Sequence, residues 1–113
     1  MMRTADVYML GHQKIGDVIR QAGLFAGAGV PFMIQNCGGN ISRAMTVHMQ
    51  AAFPTANFHF HSDTETFKTD VVNERFKPVN GFIQVPESPG LGVTLDRAAL
   101  KRLASLKLPD QPK

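Results

Sequence analysis

The sequence has a single cysteine, no long apolar run and no strong excess of one charge. Cys37 has no partner for an internal disulfide, so nothing in the cysteine content indicates an oxidising compartment. No apolar stretch approaches the length of a membrane-spanning helix, and the chain does not open on a basic and apolar leader. The sequence therefore predicts a cytoplasmic protein with no membrane partner.

The charge pattern argues against nucleic-acid binding. The net charge is only +3 over 113 residues, and the basic residues are scattered, with Lys101 and Arg102 as the one adjacent pair. A nucleic-acid-binding surface requires a basic face with interleaved aromatic residues. A chain of this length forms one domain at most.

Three short apolar runs recur along the first part of the chain, at residues 5–10, 31–34 and 56–61. Their starts lie about 26 residues apart, a spacing typical of successive strand–helix units. Runs that are apolar throughout suit parallel strands that are covered on both faces. The sequence therefore predicts an α/β fold with a β-α-β-α-β unit and right-handed crossovers.

The segments between these runs have helical periodicity. The first predicted helix spans residues 15–28 and ends at Gly29. The second is opened by Asn40, whose side chain can cap it, and is ended by Pro54. Each segment is long enough to connect two parallel strands.

Beyond residue 61 the sequence becomes polar and irregular. The Asn80-Gly81 pair predicts a tight turn, with a short strand within residues 79–86. Asp96 predicts the cap of a last helix, which runs to about residue 106. The residues expected on the inward face of this helix are Leu100, Leu103 and Leu106.

Three stretches, in this order and spacing, resemble one known family. They are residues 15–31, ending Ala-Gly-Val-Pro, residues 40–55, ending Ala-Ala-Phe-Pro-Thr, and residues 81–96, containing Pro-Glu-Ser-Pro-Gly-Leu-Gly. The chain resembles the C-terminal part of enolase-superfamily enzymes of the mandelate racemase and muconate lactonizing type. The resemblance implies a modified TIM barrel, of which this chain would supply strands six to eight.

The resemblance also divides the chain in two. Residues 1–78 would form the partial barrel, and residues 79–113 would form a C-terminal segment that packs on the capping domain. Active sites of such barrels lie at the C-terminal ends of the strands. In this chain those ends fall near residues 8–11, 35–39 and 61–63.

The family removes a proton next to a carboxylate with a Lys or His base, and Mg²⁺ stabilises the enediolate. Its metal ligands and its lysine lie on earlier strands, so the resemblance implies Mg²⁺ in the complete enzyme and no metal ligand in this chain alone. It implies part of a dehydratase, racemase or cycloisomerase for a hydroxy acid or sugar acid. Sugar-acid dehydration is favoured, because Gln35 and Asn36 suit a polyhydroxylated substrate.

Four side chains near the strand ends are candidate catalytic residues: Tyr8, Gln35, His61 and Asp63. Counted without gaps from Pro31, Tyr8 takes the position of the racemase Asp on strand six, and Gln35 that of its His on strand seven. Counted from Pro54, Phe60 takes the position of the strand-eight Glu. None of these three matches the family residue, so the acid–base residue stays open. His61 and Asp63 could instead form an orienting pair at the mouth of the site.

The loop after the second strand is the candidate substrate-binding segment, through Gln35, Asn36, Gly38 and Gly39. A glycine-rich turn that feeds a helix presents backbone N–H groups to a carboxylate or phosphate. The alternative is a tight connection in which glycine supplies permissive backbone angles. Cys37 could be a nucleophile if the helix lowered its pKa, but without a positioned base it is better explained as a small buried thiol.

The His59-Phe60-His61 sequence would place two imidazoles on one face of a strand. With His12, His48 or Asp63 they could bind Zn²⁺. The alternative is that one imidazole is packed and the other solvated. His48 itself lies on an apolar helix stripe and is expected to be a hydrogen-bonded core residue.

Three strands of an eight-stranded barrel leave an unpaired edge and an open interior, so we expect the chain to be inactive by itself. A different possibility is an interaction module that completes a split barrel, as a homo-oligomer or with a complementing chain. A third is a truncated reading frame without function.

Overall fold

The computed structural model describes residues 4–11, 14–59 and 61–106 of the chain. The helices and strands, in chain order, are β1 (Tyr8–Leu10), α1 (Ile15–Ala28), β2 (Phe32–Asn36), α2 (Asn40–Ala52), β3 (His61–Ser62), a 3₁₀ turn (Thr64–Thr66) and α3 (Arg97–Ala104). This order confirms the predicted β-α-β-α-β unit with a helix at the end. In these ranges no helix is both long and apolar enough to cross a membrane.

The three strands form one parallel sheet in the order β1-β2-β3. Tyr8 lies beside Phe32 at one end, and Gln35 lies beside His61 at the other. The parallel arrangement was predicted from the apolar runs and is confirmed. Because the strands are parallel, their carboxyl ends meet at the same edge of the sheet.

The core lies between the sheet and the two helices. Phe32 and Ile34 are completely buried, and α1 packs Val18 and Ala22 against them. The Phe25 ring lies 5.8 Å from that of Phe32, which adds aromatic packing to the same layer. Alternate residues of the strands point to the opposite face, which is open.

The ends of α1 follow the sequence signals. Gly29 has a φ of 63° and its N–H bonds to the carbonyl of Ala26, so the helix ends at a left-handed glycine as predicted. The aromatic residue Phe25, near this end, also stacks on Tyr8 at 5.1 Å. The helix end and the start of β1 are thereby held together.

The third strand is shorter than predicted. Residues 56–61 were expected to form it, but β3 comprises only His61–Ser62. The Phe32 N–H donates to the Thr55 carbonyl at 3.0 Å, and the next paired level is Gln35 with His61. The Tyr8 N–H donates to Pro31, the residue before its register partner Phe32, and by the same pattern the bond to Thr55 places Ala56 level with Phe32. From that level to the next, β2 advances three residues and its partner segment advances five, so two surplus residues cannot pair.

The side chain of Gln50 fills the gap that this surplus creates. Its Oε1 accepts from the Ile34 N–H at 3.1 Å, a donor that a continuous third strand would have taken. Its Nε2 donates to the carbonyls of Ala56 at 2.6 Å and Phe58 at 3.1 Å. One helix side chain thus satisfies backbone groups of both segments, as buried peptide groups require.

The C-terminal region follows local signals only in part. Asn80 and Gly81 have φ values of 50° and 82°, which confirms the tight turn. The short strand predicted over residues 79–86 is wrong, because the turn is flanked only by a single antiparallel bridge between Val79 and Phe82. No other described segment pairs with this hairpin, so its ladder does not extend.

The last helix is capped as predicted, since Asp96 accepts from the N–H groups of Ala98 at 3.0 Å and Ala99 at 2.9 Å. The inward placement of two leucines is wrong, because Leu100 is 43% exposed and Leu106 is 62% exposed. The helix ends at residue 104, and Ala99 is its buried residue.

A short antiparallel contact attaches the C-terminal segment to the rest of the chain. Val72 bridges Leu95, and the Asp96 N–H donates to the Val71 carbonyl at 2.8 Å. This contact crosses the predicted boundary between residues 78 and 79. The division of the chain at that boundary stays a prediction.

Candidate functional site at the strand ends

The carboxyl ends of the strands bring Gln35 and His61 side by side. The two are directly paired in the parallel register, so their side chains project from the same face of the sheet. Met9, which is 54% exposed, and Met33 belong to this open face as well. The open face therefore carries two polar groups at the strand ends above an apolar floor.

Tyr8 is placed on the other side of the sheet. It is the first residue of β1, its ring stacks on Phe25, and its hydroxyl lies 2.8 Å from the Thr4 hydroxyl. These contacts belong to the layer between sheet and helices, at the opposite end of the strand from the site. The structure does not bring Tyr8 together with Gln35.

Asn36 also faces the helices and is completely buried. Its Nδ2 donates to the Thr64 Oγ1 at 2.9 Å, the Ser62 Oγ at 3.2 Å and the Gly38 carbonyl at 3.4 Å. Its Oδ1 is buried and has no hydrogen-bond partner among the described residues. The amide thus ties two loops together beneath the surface.

Thr64 completes this network and was not singled out from the sequence. It is 4% exposed, and its Oγ1 donates to the Gly38 carbonyl at 2.8 Å. Nothing in the polar stretch around it marks this threonine, because its role depends on where β3 ends. Together, Asn36 and Thr64 fix the loop that precedes α2.

Asp63 and Cys37 lie together at the ends of β2 and β3. The Asp63 Oδ1 accepts from the Gly38 N–H at 3.1 Å, and the Gln35 Nε2 donates to the Cys37 Sγ at 3.1 Å. Burial, then the charge of Asp63 and its hydrogen bond, raise the pKa of the Cys37 thiol, and the bond from Gln35 opposes this only in part. The lowered pKa that a nucleophilic cysteine needs is therefore contradicted.

Asp70 caps helix α2, a role that the sequence did not reveal. Its Oδ2 accepts from the Asn40 N–H at 2.6 Å and from the Asn40 Nδ2 at 2.9 Å, and its Oδ1 accepts from the Val71 N–H at 2.7 Å. The prediction that Asn40 caps this helix is wrong: Asn40 is the first helical residue and its amide donates to the cap. A Cβ on Gly39 would lie 2.9 Å from the same Oδ2, so any larger residue here would push the capping carboxylate away.

The carboxylates of the chain itself occupy the anion position of the glycine-rich loop. The Asp63 carboxylate accepts a hydrogen bond from the Gly38 N–H, and the Asp70 carboxylate accepts one from the Asn40 N–H at the helix N-terminus. Burial raises the pKa of Asp70, but the hydrogen bonds from Asn40 and Val71 and the charge of Arg75 outweigh it and hold that pKa below its usual range. A substrate carboxylate that used this loop would have to displace one of these groups.

The histidines do not converge. His59 precedes β3, is exposed and lies against the Phe58 ring at 4.6 Å, so the expected pair of imidazoles on one strand face is wrong. His61 is exposed on the open face. The Nε2 of His48 is buried without a hydrogen-bond partner in the described ranges, contrary to the expected bonded core histidine. His12 and Phe60 lie outside the described residues.

The described residues hold no group of three or more His, Cys, Asp or Glu side chains that could bind a metal ion. The zinc alternative therefore has no support in this part of the chain. The strand ends carry Gln35, His61 and Asp63, which offer an amide, an imidazole and a carboxylate. These groups can bind hydroxyls and move protons.

Known proteins similar to this chain include a dehydratase and two enolases. The D-xylonate dehydratase of Haloferax volcanii is 32% identical over 73 residues, which are 64% of this chain and 18% of that protein. An enolase from Mycobacterium smegmatis, complexed with tartrate, has a TM-score of 0.75 and 28% identity over 87% of this chain and 25% of its own. An enolase from Pseudomonas fluorescens Pf0-1, with bound magnesium, potassium and tartrate, shares the fold with a TM-score of 0.76 and 20% identity over 88% of this chain and 25% of its own.

These relatives are much longer than the chain, which spans 18% of the dehydratase and 25% of each enolase. The family described as enolase C-terminal domain-like matches residues 2–99. That match covers most of the 113 residues, and the parallel sheet agrees with the solved relatives. The chain therefore belongs to the enolase C-terminal domain-like family, as its resemblance to C-terminal parts of enolase-superfamily enzymes implied.

Proposed function

We propose that this chain forms strands six to eight of the barrel of a Mg²⁺-dependent sugar-acid dehydratase. The proposal is supported by the similarity to a D-xylonate dehydratase and to two tartrate-bound enolases. The observation that carries it is the placement of Gln35 beside His61 on the open face at the carboxyl ends of the strands. In a closed barrel that face is the interior, and active sites lie at that end.

Gln35 is the proposed substrate-binding residue. Its amide can both donate to and accept from hydroxyl groups, which suits a substrate with several adjacent hydroxyls. It cannot remove a proton, so the base for the reaction must come from another group. Asn36, by contrast, has its donor committed beneath the loop and is not part of the proposed contact surface.

Asp63 is the proposed counterpart of the strand-eight Glu. The ungapped count from Pro54 ends at Phe60, but the segment before His61 contains two surplus residues relative to β2, so the count does not fix the strand end. Asp63, three residues beyond Phe60, is the carboxylate that directly follows β3. There a carboxylate stands at the strand end, within hydrogen-bond distance of the Gly38 N–H.

The described residues do not fit a Mg²⁺ site, since no three carboxylate, imidazole or thiolate groups come together. The metal of the complete enzyme would then be held by residues outside this chain. The described residues therefore have no proposed role in binding Mg²⁺. The contribution of the chain is to bind and orient the substrate.

A chimeric enzyme tests this proposal. The segment of the Haloferax volcanii D-xylonate dehydratase that matches this chain would be replaced by it, and formation of the 2-keto acid from D-xylonate measured with Mg²⁺ present. We expect Gln35→Leu to lower kcat/KM about tenfold or more, because a polar contact to the substrate is lost. Gln84→Leu, at an exposed glutamine outside the three strands, is the matched control.

The chain by itself is the second arm of the test. We expect it to give no product from D-xylonate and Mg²⁺. Turnover by the isolated chain would overturn the proposal that the reactive centre lies elsewhere. An unchanged kcat/KM in the Gln35→Leu chimera would overturn the assignment of Gln35.

The exposed edge of β1 favours a second proposal, assembly with another chain. β1 lies at the edge of the described sheet, and the apolar residues Met9, Ile15 and Ile19 are each half exposed. A free strand edge pairs readily with another strand, and exposed apolar side chains favour association. Size-exclusion chromatography with light scattering checks this: a well-folded monomer at all concentrations would contradict assembly.

A further inference from the structure

A cationic pocket lies beside the first turn of α2. It has a volume of about 320 Å³. Its basic side chains, which define the cationic pocket, are Arg43, Lys68, Arg75 and Lys77. Glu65 is the one acidic side chain in the described lining, and Phe67 and Phe76 supply apolar walls.

Arg43 lies buried at the pocket and is incompletely paired. It is 5% exposed, and its Nη1 bonds to Glu65, whose side chain is 60% exposed. Its Nε is buried and has no hydrogen-bond partner among the described residues. A buried guanidinium that relies on one exposed carboxylate has less compensation than burial of a charge normally demands.

The other three cations are exposed and form no salt bridge among the described residues. In the described ranges neither Lys68, Arg75 nor Lys77 has a carboxylate oxygen at salt-bridge distance. Arg75 interacts electrostatically with Asp70, but both oxygens of Asp70 already accept hydrogen bonds from the backbone. Three donors therefore converge on one concavity with free bonding capacity.

The charge of the molecule is concentrated here. Four cations and one carboxylate give the lining a net charge of +3, equal to the net charge of the whole chain. The remaining ionisable residues therefore sum to zero. A concave surface of one sign focuses the electrostatic field and raises the local concentration of ligands of opposite charge.

We propose that the cationic pocket binds a small oxyanion of the phosphate class that carries two negative charges. A net charge of +3 favours a dianion over a monocarboxylate, and arginine and lysine are the side chains that match phosphate oxygens. The volume suits a small ligand. This inference does not rest on the dehydratase proposal, whose substrate is a monocarboxylate bound at the strand ends.

Titration of the isotope-labelled chain with inorganic phosphate tests this, at a mildly alkaline pH where phosphate is a dianion. We expect saturable shifts of backbone amide signals within residues 64–77 and at Arg43. The comparison probe is D-gluconate, which has one negative charge and the shape of a sugar acid. The proposal requires weaker binding of gluconate than of phosphate at these residues.

Two matched double variants complete the design. Lys68→Gln with Lys77→Gln should weaken phosphate binding about tenfold or more, because charge-assisted contacts are lost. Lys14→Gln with Lys101→Gln removes the same charge from exposed positions outside the lining and should change binding little. Circular dichroism checks that both variants fold.

Three outcomes would overturn the proposal: non-saturable shifts, equal loss of binding in both double variants, or gluconate binding as tightly as phosphate. The wild-type shift map decides the question even if a variant fails to fold. Shifts that cluster at Gln35 and Asp63 instead would assign phosphate to the strand ends and reject the cationic pocket.

Discussion

The Asp70 Oδ2 lies 2.6 Å from the Asn40 N–H, so the cap of α2 comes from a residue thirty positions further along the chain. The same oxygen accepts from the Asn40 side chain. A helix in which the first backbone donor is satisfied by a distant carboxylate depends on tertiary structure for its start. This contact fastens the loop after β3 to the loop after β2.

Loss of this cap should destabilise the fold. We expect Asp70→Ala to lower the free energy of unfolding by about 1–2 kcal/mol, because it leaves the first donors of α2 without an acceptor. Asp70→Asn keeps one acceptor and should cost less. Urea denaturation measures both. Asp6→Ala, at an exposed carboxylate, is the control, and an equal loss in that variant would contradict the capping role.

The same carboxylate should make stability depend on pH. The pKa of Asp70 in the folded chain lies below its usual range, and the bond to Arg43 holds the pKa of Glu65 below its own. Groups with a depressed folded pKa contribute stability above their unfolded pKa and lose it as the pH falls through the folded pKa. Stability should thus fall on acidification below about pH 4.

Unfolding curves of the wild type and Asp70→Asn, recorded from neutral to acidic pH, check this. The wild-type curve should fall more steeply. Parallel curves would show that the pKa of Asp70 is the same in the folded and unfolded chain. That result would contradict the lowering that its hydrogen bonds predict.

Gln50 should be costly to remove for a residue on a helix surface. Gln50→Ala leaves the Ile34 N–H and the Ala56 carbonyl without partners, and we expect a loss of about 1–3 kcal/mol in unfolding free energy. Gln84→Ala, at an exposed glutamine, should be close to neutral. Hydrogen exchange gives a local readout: unchanged protection of the Ile34 amide in Gln50→Ala would contradict the contact.

One glycine in α1 offers a route to a more stable chain. A Cβ on Gly23 would meet nothing within 4 Å, and the position is exposed in the middle of the helix. Gly23→Ala should stabilise the fold by about 0.5–1 kcal/mol through helix propensity. Gly29→Ala is the opposite case, because its φ of 63° favours glycine. The midpoint temperature of thermal unfolding should rise for Gly23→Ala and fall for Gly29→Ala. The reverse order would contradict the prediction for α1.

Cys37 should react slowly with thiol reagents at neutral pH. Burial and the charge of Asp63 raise the pKa of the thiol, which lowers the thiolate fraction. Asp63→Asn removes the charge and should speed the reaction, whereas Asp6→Asn should not. The measurement is the rate of modification against pH. If Asp63→Asn left the rate unchanged, the charge of Asp63 would not affect the Cys37 thiol, and the prediction would be contradicted.

The features that were predicted correctly depend on residues that lie close together in the sequence. The parallel strand–helix order follows from apolar runs, the end of α1 from Gly29, and the start of α3 from Asp96. Each signal acts within one or two turns of backbone. Asp70 could not be found in this way, because its partner is distant and a lone aspartate in a polar loop has no signature.

The alternation of residues along β2 contains more information about the site than the strand-end positions alone. Phe32, Ile34 and Asn36 occupy alternate positions of β2, so period-two alternation already assigns Asn36 to the helix-facing side and Gln35 to the open face. The end of the third strand was not predictable, since its register depends on a glutamine that belongs to α2.

The Gln50 side chain takes the place of strand pairing beside Ile34. Gln50 bonds to the Ile34 N–H in place of a third strand, so the pairing of Gln35 with His61 does not require a continuous ladder before it. A residue at the end of β3 is therefore located by its partner in the sheet and not by its distance along the chain from Pro54.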